Sequence, residues 1–236
     1  MVDWKENIVV KSRFYFSLQH IQSAALFARR AGQIEKNYDG KFLNELFTEY
    51  QADVTASIFA AVSFLEATIN ELFADAEENY SEYPKNINTN TKDLMAEMWK
   101  RGIPRTAHYP ILEKFDIALV LAQKSALERD KPLVQNVKLV VQLRNNLIHY
   151  EPEWISEEPV VPSIAATEKK LIKCLRGKFP TSPLVGGNSP FFPNKCLSYG
   201  CARWTVESSI AYADEFYNKL GATAPYEHIR QYLVTR

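Results

Sequence analysis

A histidine, an arginine and an asparagine that could act together in catalysis lie at the end of one helical stretch of the sequence, in the run Arg144-Asn145-Asn146-Leu147-Ile148-His149. Asn145 and His149 are four residues apart, so they share one face of a helix. A histidine can move a proton to or from a ribose 2′-hydroxyl or a leaving oxygen, and an arginine can stabilise charge that develops on phosphoryl oxygens. An amide can orient either partner. Arg144, Asn145 and His149 are therefore candidate catalytic residues for phosphodiester chemistry that needs no metal.

The helix that carries these residues is predicted over 131–150. Asp130 is expected to cap it, Pro132 suits its first turn, and Pro152 disfavours helical geometry at Glu151. At about 100° per residue, the apolar side chains of this helix fall within one arc, and Arg144 lies near the centre of that arc. The apolar residues concerned are Leu133, Val134, Val137, Val140, Val141, Leu143, Leu147 and Ile148.

An arginine on a buried face needs a paired carboxylate or an anionic ligand, because its isolated desolvation costs several kcal/mol. Arg144 can pair with a carboxylate of another helix, such as Glu66, or extend past the helix end into water. Alternatively, it points into a crevice and binds a negatively charged group of a substrate. On an ideal helix Arg144 and His149 point about 140° apart. A site that uses both therefore requires either an unwound helix end or two copies of the chain related by a two-fold axis.

The pattern Arg-Asn-x-x-x-His at the end of a helix resembles the hallmark of the HEPN superfamily, in which a polar residue follows the arginine. Arg144, Asn145 and His149 match this hallmark, and the segment 62–73 is similar to the early long helix of many HEPN proteins. The resemblance covers roughly 42–178. It leaves the N-terminal helix and the region after Pro180 unexplained.

The resemblance implies an all-α helical bundle of the HEPN type that forms a homodimer through its motif-bearing helices. In active members it implies a metal-independent endoribonuclease that acts on RNA and leaves a 2′,3′-cyclic phosphate, often as a toxin or a defence effector. An antitoxin or a nucleotidyltransferase-type protein is then a possible partner. Other members keep the fold as non-catalytic modules for nucleotide binding or protein interaction, and the residues alone do not separate these groups.

Two further sets of polar residues have alternative interpretations. Ser63, Glu66 and Asn70 form a stripe at helical spacing, which either lines the same cleft and holds Arg144 or is the solvent-exposed face of its helix. Lys169, Lys170 and Lys173 belong to a basic segment over 168–178, which is either a solvated helix face or a surface that binds RNA phosphates.

The elements that position these residues are predicted to be entirely helical. The chain of 236 residues has only 8 Gly, with no Gly or Pro over 41–83 and no Gly over 103–176. Such spans exclude the dense turns of a β-sandwich and the glycine-rich loops that bind phosphates. We expect a HEPN-like helical bundle over 1–178, which includes an additional helix at its N-terminal end. A loop and additional C-terminal helices over 179–236 are expected to pack on the same domain.

Charge and cysteine content bear on partners and compartment. The chain has 28 Lys+Arg and 28 Asp+Glu, which argues against a protein that coats nucleic acid or an acidic membrane but permits a local basic groove. The 3 cysteines favour a reducing compartment. Because the N-terminus lacks a signal-peptide core, we expect a cytoplasmic protein without a membrane span. No cofactor or metal is expected.

Overall fold

A computed structural model describes residues 12–41, 44–78, 86–105, 109–151 and 170–236. Within these ranges the chain is all-helical, as predicted. The seven α-helices are α1 (Phe16–Asn37), α2 (Asn44–Glu77), α3 (Thr89–Lys100), α4 (Ile111–Leu121), α5 (Pro132–Ile148), α6 (Lys170–Leu175) and α7 (Tyr199–Leu220). A short turn over Phe191–Lys195, interrupted by the extended backbone of Phe192, precedes α7, and a 3₁₀ helix, Glu227–Tyr232, follows it.

The long helix α2 is the centre of the bundle. It packs against α1, α3, α4, α5 and α7, and buried residues recur along most of its length, from Tyr50 to Ala76. The face of α1 that meets α2 carries small side chains, Ala24, Ala28 and Ala31, which let the two helices approach closely. The hydroxyl of Ser57 on α2 donates a hydrogen bond to the carbonyl oxygen of Ala24 at 2.9 Å. These contacts join α1 closely to α2, against which α3, α4, α5 and α7 also pack.

By length and composition α2 could also cross a membrane, since an 18-residue window has a mean hydropathy of 1.4. Of that window, 56% is buried inside the bundle. A central helix packed on several sides has the same composition, so the apolar character of α2 is explained by its place in the core.

The helices α4 and α7 complete the core beneath α5. Phe115 of α4 makes edge-to-face contacts with Tyr212 and Phe216 of α7, at ring-centroid distances of 5.2 Å and 4.7 Å. The helix α7 also packs against α1 and α5. It begins at Ser198, whose side chain accepts a hydrogen bond from the backbone N–H of Cys201.

Several expected helix boundaries are corrected. Asn88 caps α3, because its side-chain oxygen accepts a hydrogen bond from the backbone N–H of Thr91 at 2.8 Å. The first turn of α5 is capped by Lys131, without a side-chain hydrogen bond, and not by Asp130. The pattern predicts that α4 continues to Leu127, but it ends at Leu121.

The early end of α4 has a local cause. Gln123 adopts a positive φ of 56°, the left-handed conformation that closes many helices. The N–H groups of Gln123 and Lys124 then donate to the carbonyls of Val120 and Leu119 at 2.9 Å and 2.8 Å. This pair of bonds is the Schellman motif, here formed without the glycine that usually marks it in a sequence.

Candidate functional site

The polar residues of interest lie at the C-terminal end of α5. Pro132 occupies the first turn of the helix, where its missing N–H costs nothing, and Val134, Val137, Val140 and Leu143 turn inward to be buried. The helix ends at Ile148, and His149 is its C-terminal cap, with φ −103° and ψ 41°. The backbone N–H of His149 donates to the carbonyl oxygen of Asn145 at 2.9 Å. The sequence-based helix over 131–150 is therefore present, shorter by one residue at its start and two at its end.

Arg144 lies on the inward side of α5, and its side chain is 24% exposed. Its Nη2 atom is 4.0 Å from Oε2 of Glu66 on α2, at the outer limit for an ion pair. Its Nε atom is buried and has no hydrogen-bond partner. Glu66 is the carboxylate that the sequence suggested as a partner, but the pairing leaves the guanidinium incompletely satisfied.

A second cation, Lys114, lies closer to the carboxylate of Glu66 than Arg144 does. The ammonium of Lys114 on α4 is 3.0 Å from Oε1 of Glu66 and donates a further bond to Oδ1 of Asn70 at 3.3 Å. The Lys114 side chain is only 1% exposed, whereas that of Glu66 is 40% exposed. Lys114 thus takes the short contact with the carboxylate, and Arg144 is left at the longer distance.

We name Glu66, Asn70, Lys114 and Arg144 the Glu66 cluster. It joins α2, α4 and α5 and contains two cations but one carboxylate. Since charged groups in a partly buried site interact strongly, this excess of positive charge favours the binding of an anion. The sequence left open whether Glu66 and Asn70 line a cleft with Arg144 or form the solvent-exposed face of their helix. In the structure both contact Lys114, and Glu66 also lies 4.0 Å from Arg144. Ser63, the third member of the predicted stripe, is half-buried on α2.

Lys114 is the member of this cluster that the sequence interpretation missed. The signal was nevertheless present, because Lys114 follows Ile111 by three residues and precedes Ala118 by four. It therefore shares the apolar face of α4 with both, just as Arg144 shares the apolar face of α5. Applying the same helical-wheel argument to every helix would have found it.

Asn145 and His149 are exposed and lie apart from the Glu66 cluster. Their directions around the α5 axis differ from that of Arg144 by about 100° and about 140°. The helix end does not unwind far enough to remove this separation, since the N–H of His149 still bonds to the fourth residue before it. Within one chain, the candidate catalytic residues thus occupy two sides of α5.

The basic segment after the motif is described in part. Lys170 and Lys173 lie on the short helix α6 and are both exposed, while Lys169 lies outside the described residues. The helix α6 packs against α5, so its lysines are carried close to the motif-bearing helix. In the part of the chain that the structure describes, no group of three or more His, Cys, Asp or Glu side chains could hold a metal ion.

Comparison of the chain with protein-family models, with curated proteins and with solved structures finds no significant match.

Proposed function

We propose that the protein is a metal-independent endoribonuclease of the HEPN type, and that Arg144 and His149 are its catalytic residues. The observation that carries the proposal is the incomplete pairing of Arg144. A partly exposed guanidinium with an unpaired Nε sits in a cluster of net positive charge, five residues before an exposed histidine at a helix end. An arginine held for stability alone would be expected to have its donors satisfied.

The reaction needs only these side chains and the RNA. His149 removes the proton of a ribose 2′-hydroxyl, and the 2′-oxygen forms a bond to the adjacent phosphorus. The bond from phosphorus to the 5′-oxygen breaks, and that oxygen takes up the proton that His149 had accepted, relayed through solvent, which leaves a 2′,3′-cyclic phosphate, a 5′-hydroxyl and a neutral imidazole. Arg144 stabilises the charge on the non-bridging oxygens during this step. Asn145, on the same face of α5 as His149, orients the imidazole or the ribose.

We further propose that the active form is a homodimer. Because Arg144 and His149 face opposite sides of α5, one phosphate can contact both only if a two-fold axis brings the α5 ends of two copies together. Each site would then combine Arg144 of one copy with His149 of the other. The three free cysteines fit a reducing compartment, so we place this dimer in the cytoplasm.

The test is cleavage of a mixed RNA by the purified protein in the presence of EDTA. We expect His149→Ala and Arg144→Ala each to lose activity by about 10²-fold or more while remaining folded. His228→Ala and Arg101→Ala are matched controls, because both residues are exposed and distant in sequence from α5. Undiminished cleavage by both motif variants would overturn the proposal.

A mixing experiment tests the shared site. Neither Arg144→Ala nor His149→Ala is active alone, but an equimolar mixture forms dimers of which about half are mixed. Each mixed dimer retains one site with an intact arginine and an intact histidine, so about a quarter of wild-type activity should return. If both residues acted within one chain, every site would carry a defect, and the mixture would stay inactive.

One observation favours a second candidate function, a non-catalytic HEPN-like module that binds nucleotides or another protein. Within the chain, Arg144 contacts Glu66 and not His149, and a binding module requires only the positive charge of the Glu66 cluster. This candidate predicts no cleavage, and nucleotide binding that Arg144→Ala abolishes. A nucleotidyltransferase-type or antitoxin partner suits either function.

A further inference from the structure

A groove runs between α5 and α6, on the side of α5 that faces away from the Glu66 cluster. Its cavity is about 340 Å³. The polar residues that line it are Gln135, Lys138, Gln142 and Asn146 of α5 and Lys170 of α6, with the thiol of Cys174 beside them. Two leucines form the remainder of the wall. We name this feature the α5/α6 groove.

The chemistry of the groove suits a single strand of nucleic acid. Among the described residues, its lining holds two lysines and three amide side chains and no carboxylate. Lysines bind phosphates, and amides pair with the donors and acceptors on the edges of bases. The amide of Asn146 donates to the carbonyl oxygen of Gln142 at 3.0 Å, which fixes the side chain and leaves its Oδ1 atom free to accept a hydrogen bond. Gln135 and Gln142 are exposed and Asn146 is half-buried, so the free edges of an unpaired base can reach these amides, whereas in a duplex those edges are already paired.

The groove leads to His149. From Gln135 to Asn146 the lining of α5 extends for about 16 Å along the helix, and His149 lies about one turn further on. Around the axis, His149 points within about 60° of Asn146 and about 20° of Gln142 and Lys138. Arg144 points to the other side. A strand bound in the groove would therefore pass directly to the imidazole of the same chain.

We propose that the α5/α6 groove binds single-stranded RNA and delivers it to His149. The choice of RNA as the ligand rests on the proposed function, whereas the preference for an unpaired strand rests on the groove itself. The groove selects the substrate class: loops and single-stranded regions bind, and continuous duplexes do not.

Cys174 provides a direct probe of occupancy. It is exposed at the groove, while Cys196 and Cys201 are both buried. Native protein is reacted with N-ethylmaleimide, and labelling of Cys174 is followed by mass spectrometry. A 2′-O-methyl oligonucleotide of mixed sequence serves as an RNA that cannot be cleaved. At about ten times its Kd we expect labelling of Cys174 to slow by about tenfold, and a duplex of the same sequence to protect weakly or not at all.

Charge-reversal variants locate the contact. Lys138→Glu combined with Lys170→Glu should remove the protection and lower the slope of log Kd against log salt by about 1.4, the value for two phosphate contacts on a single strand. The control is Lys36→Glu combined with Lys100→Glu, which makes the same charge change at exposed lysines of α1 and α3. Three results would overturn the proposal that the groove binds single-stranded RNA. They are an equal loss of protection in both double variants, equal protection by the duplex and the single strand, and no protection at all.

The outcome is separable from that of the ribonuclease proposal. If Cys174 is protected but natural RNA is not cleaved, the proposed RNA-binding groove is supported and the proposed ribonuclease function is overturned. If RNA is cleaved in a His149-dependent way but Cys174 is not protected, the proposed ribonuclease function is supported and the proposed RNA-binding groove is overturned.

Discussion

The unequal burial of Lys114 and Glu66 leads to a prediction about stability. Lys114 is 1% exposed and Glu66 is 40% exposed, yet they form one ion pair at 3.0 Å. Replacing Glu66 with Gln removes the only carboxylate of the Glu66 cluster. It leaves Lys114 buried beside a second cation, with neutral oxygens as its only acceptors.

The size of the effect follows from these contacts. Removing one partner of a fully buried ion pair costs about 3–5 kcal/mol, because the other charge is left uncompensated. The carboxylate of Glu66 is partly solvated, and the Gln oxygen can still accept a bond from Lys114, so we expect about half of this. A loss of about 2 kcal/mol in the free energy of unfolding corresponds to a decrease in Tm of about 4–8 °C for a chain of this size.

The matched variant is Lys114→Met, which removes the other partner. Met fills the space of the lysine stem, and the Glu66 carboxylate keeps both its exposure and its contact with Arg144. No charge is left buried without a partner, so we expect the free energy of unfolding to change by less than about 1 kcal/mol. In the Lys114→Met background, Glu66→Gln should then cost less than about 1 kcal/mol, since the two residues are coupled.

Urea denaturation followed by circular dichroism and by tryptophan fluorescence measures all four proteins. They are compared at one protein concentration, because the stability of an oligomer depends on it. The reasoning is refuted if Lys114→Met destabilises the protein as much as Glu66→Gln does, or if Glu66→Gln has no effect.

Three further predictions concern other parts of the fold. Burial raises the pKa of Asp75 to about 6, so its contribution to stability is complete only below about pH 4 and is lost as the pH rises through 6; urea denaturation across this range should show a smaller decline in Asp75→Asn. Ser198→Ala removes the cap of α7 and the bond to the carbonyl oxygen of Pro180 at 2.7 Å, and we expect a loss of about 1–2 kcal/mol in the same assay. Gly200→Ala places a Cβ atom 2.6 Å from that same carbonyl oxygen and should cost about 1–3 kcal/mol, whereas Gly187→Ala, which meets nothing within 4 Å, should be nearly neutral.

Much of the fold could be predicted from the sequence because the apolar residues keep a helical period over long spans. The helix α2 lacks Gly and Pro and has apolar residues on several sides, so its existence and its central place follow from composition. The end of α4 could not be predicted in this way. Gln123 takes the left-handed conformation that sequence rules assign to glycine, so nothing in the residue types marked the stop.

Part of the candidate site could also be predicted from the sequence. An arginine on the apolar face of α5 is visible on a helical wheel, and Glu66 could be named as a partner from its spacing with Ser63 and Asn70. The division of Glu66 between two cations was not predictable, because it depends on how α4 and α5 pack against α2. A pattern within one helix gives the face of a side chain, but not the distance to a side chain on another helix.

The zero net charge of the chain conceals two local excesses of positive charge on opposite sides of α5. The Glu66 cluster has two cations and one carboxylate, and the α5/α6 groove has Lys138 and Lys170 with no carboxylate among its described lining residues. His149 lies on the groove side of α5, and Arg144 lies on the side of the cluster. Under the proposed function, an anionic strand that follows the groove would meet His149 of one chain, and Arg144 of a second copy would stabilise the reacting phosphate. The homodimer that we propose therefore rests on the placement of these two side chains on different sides of one helix.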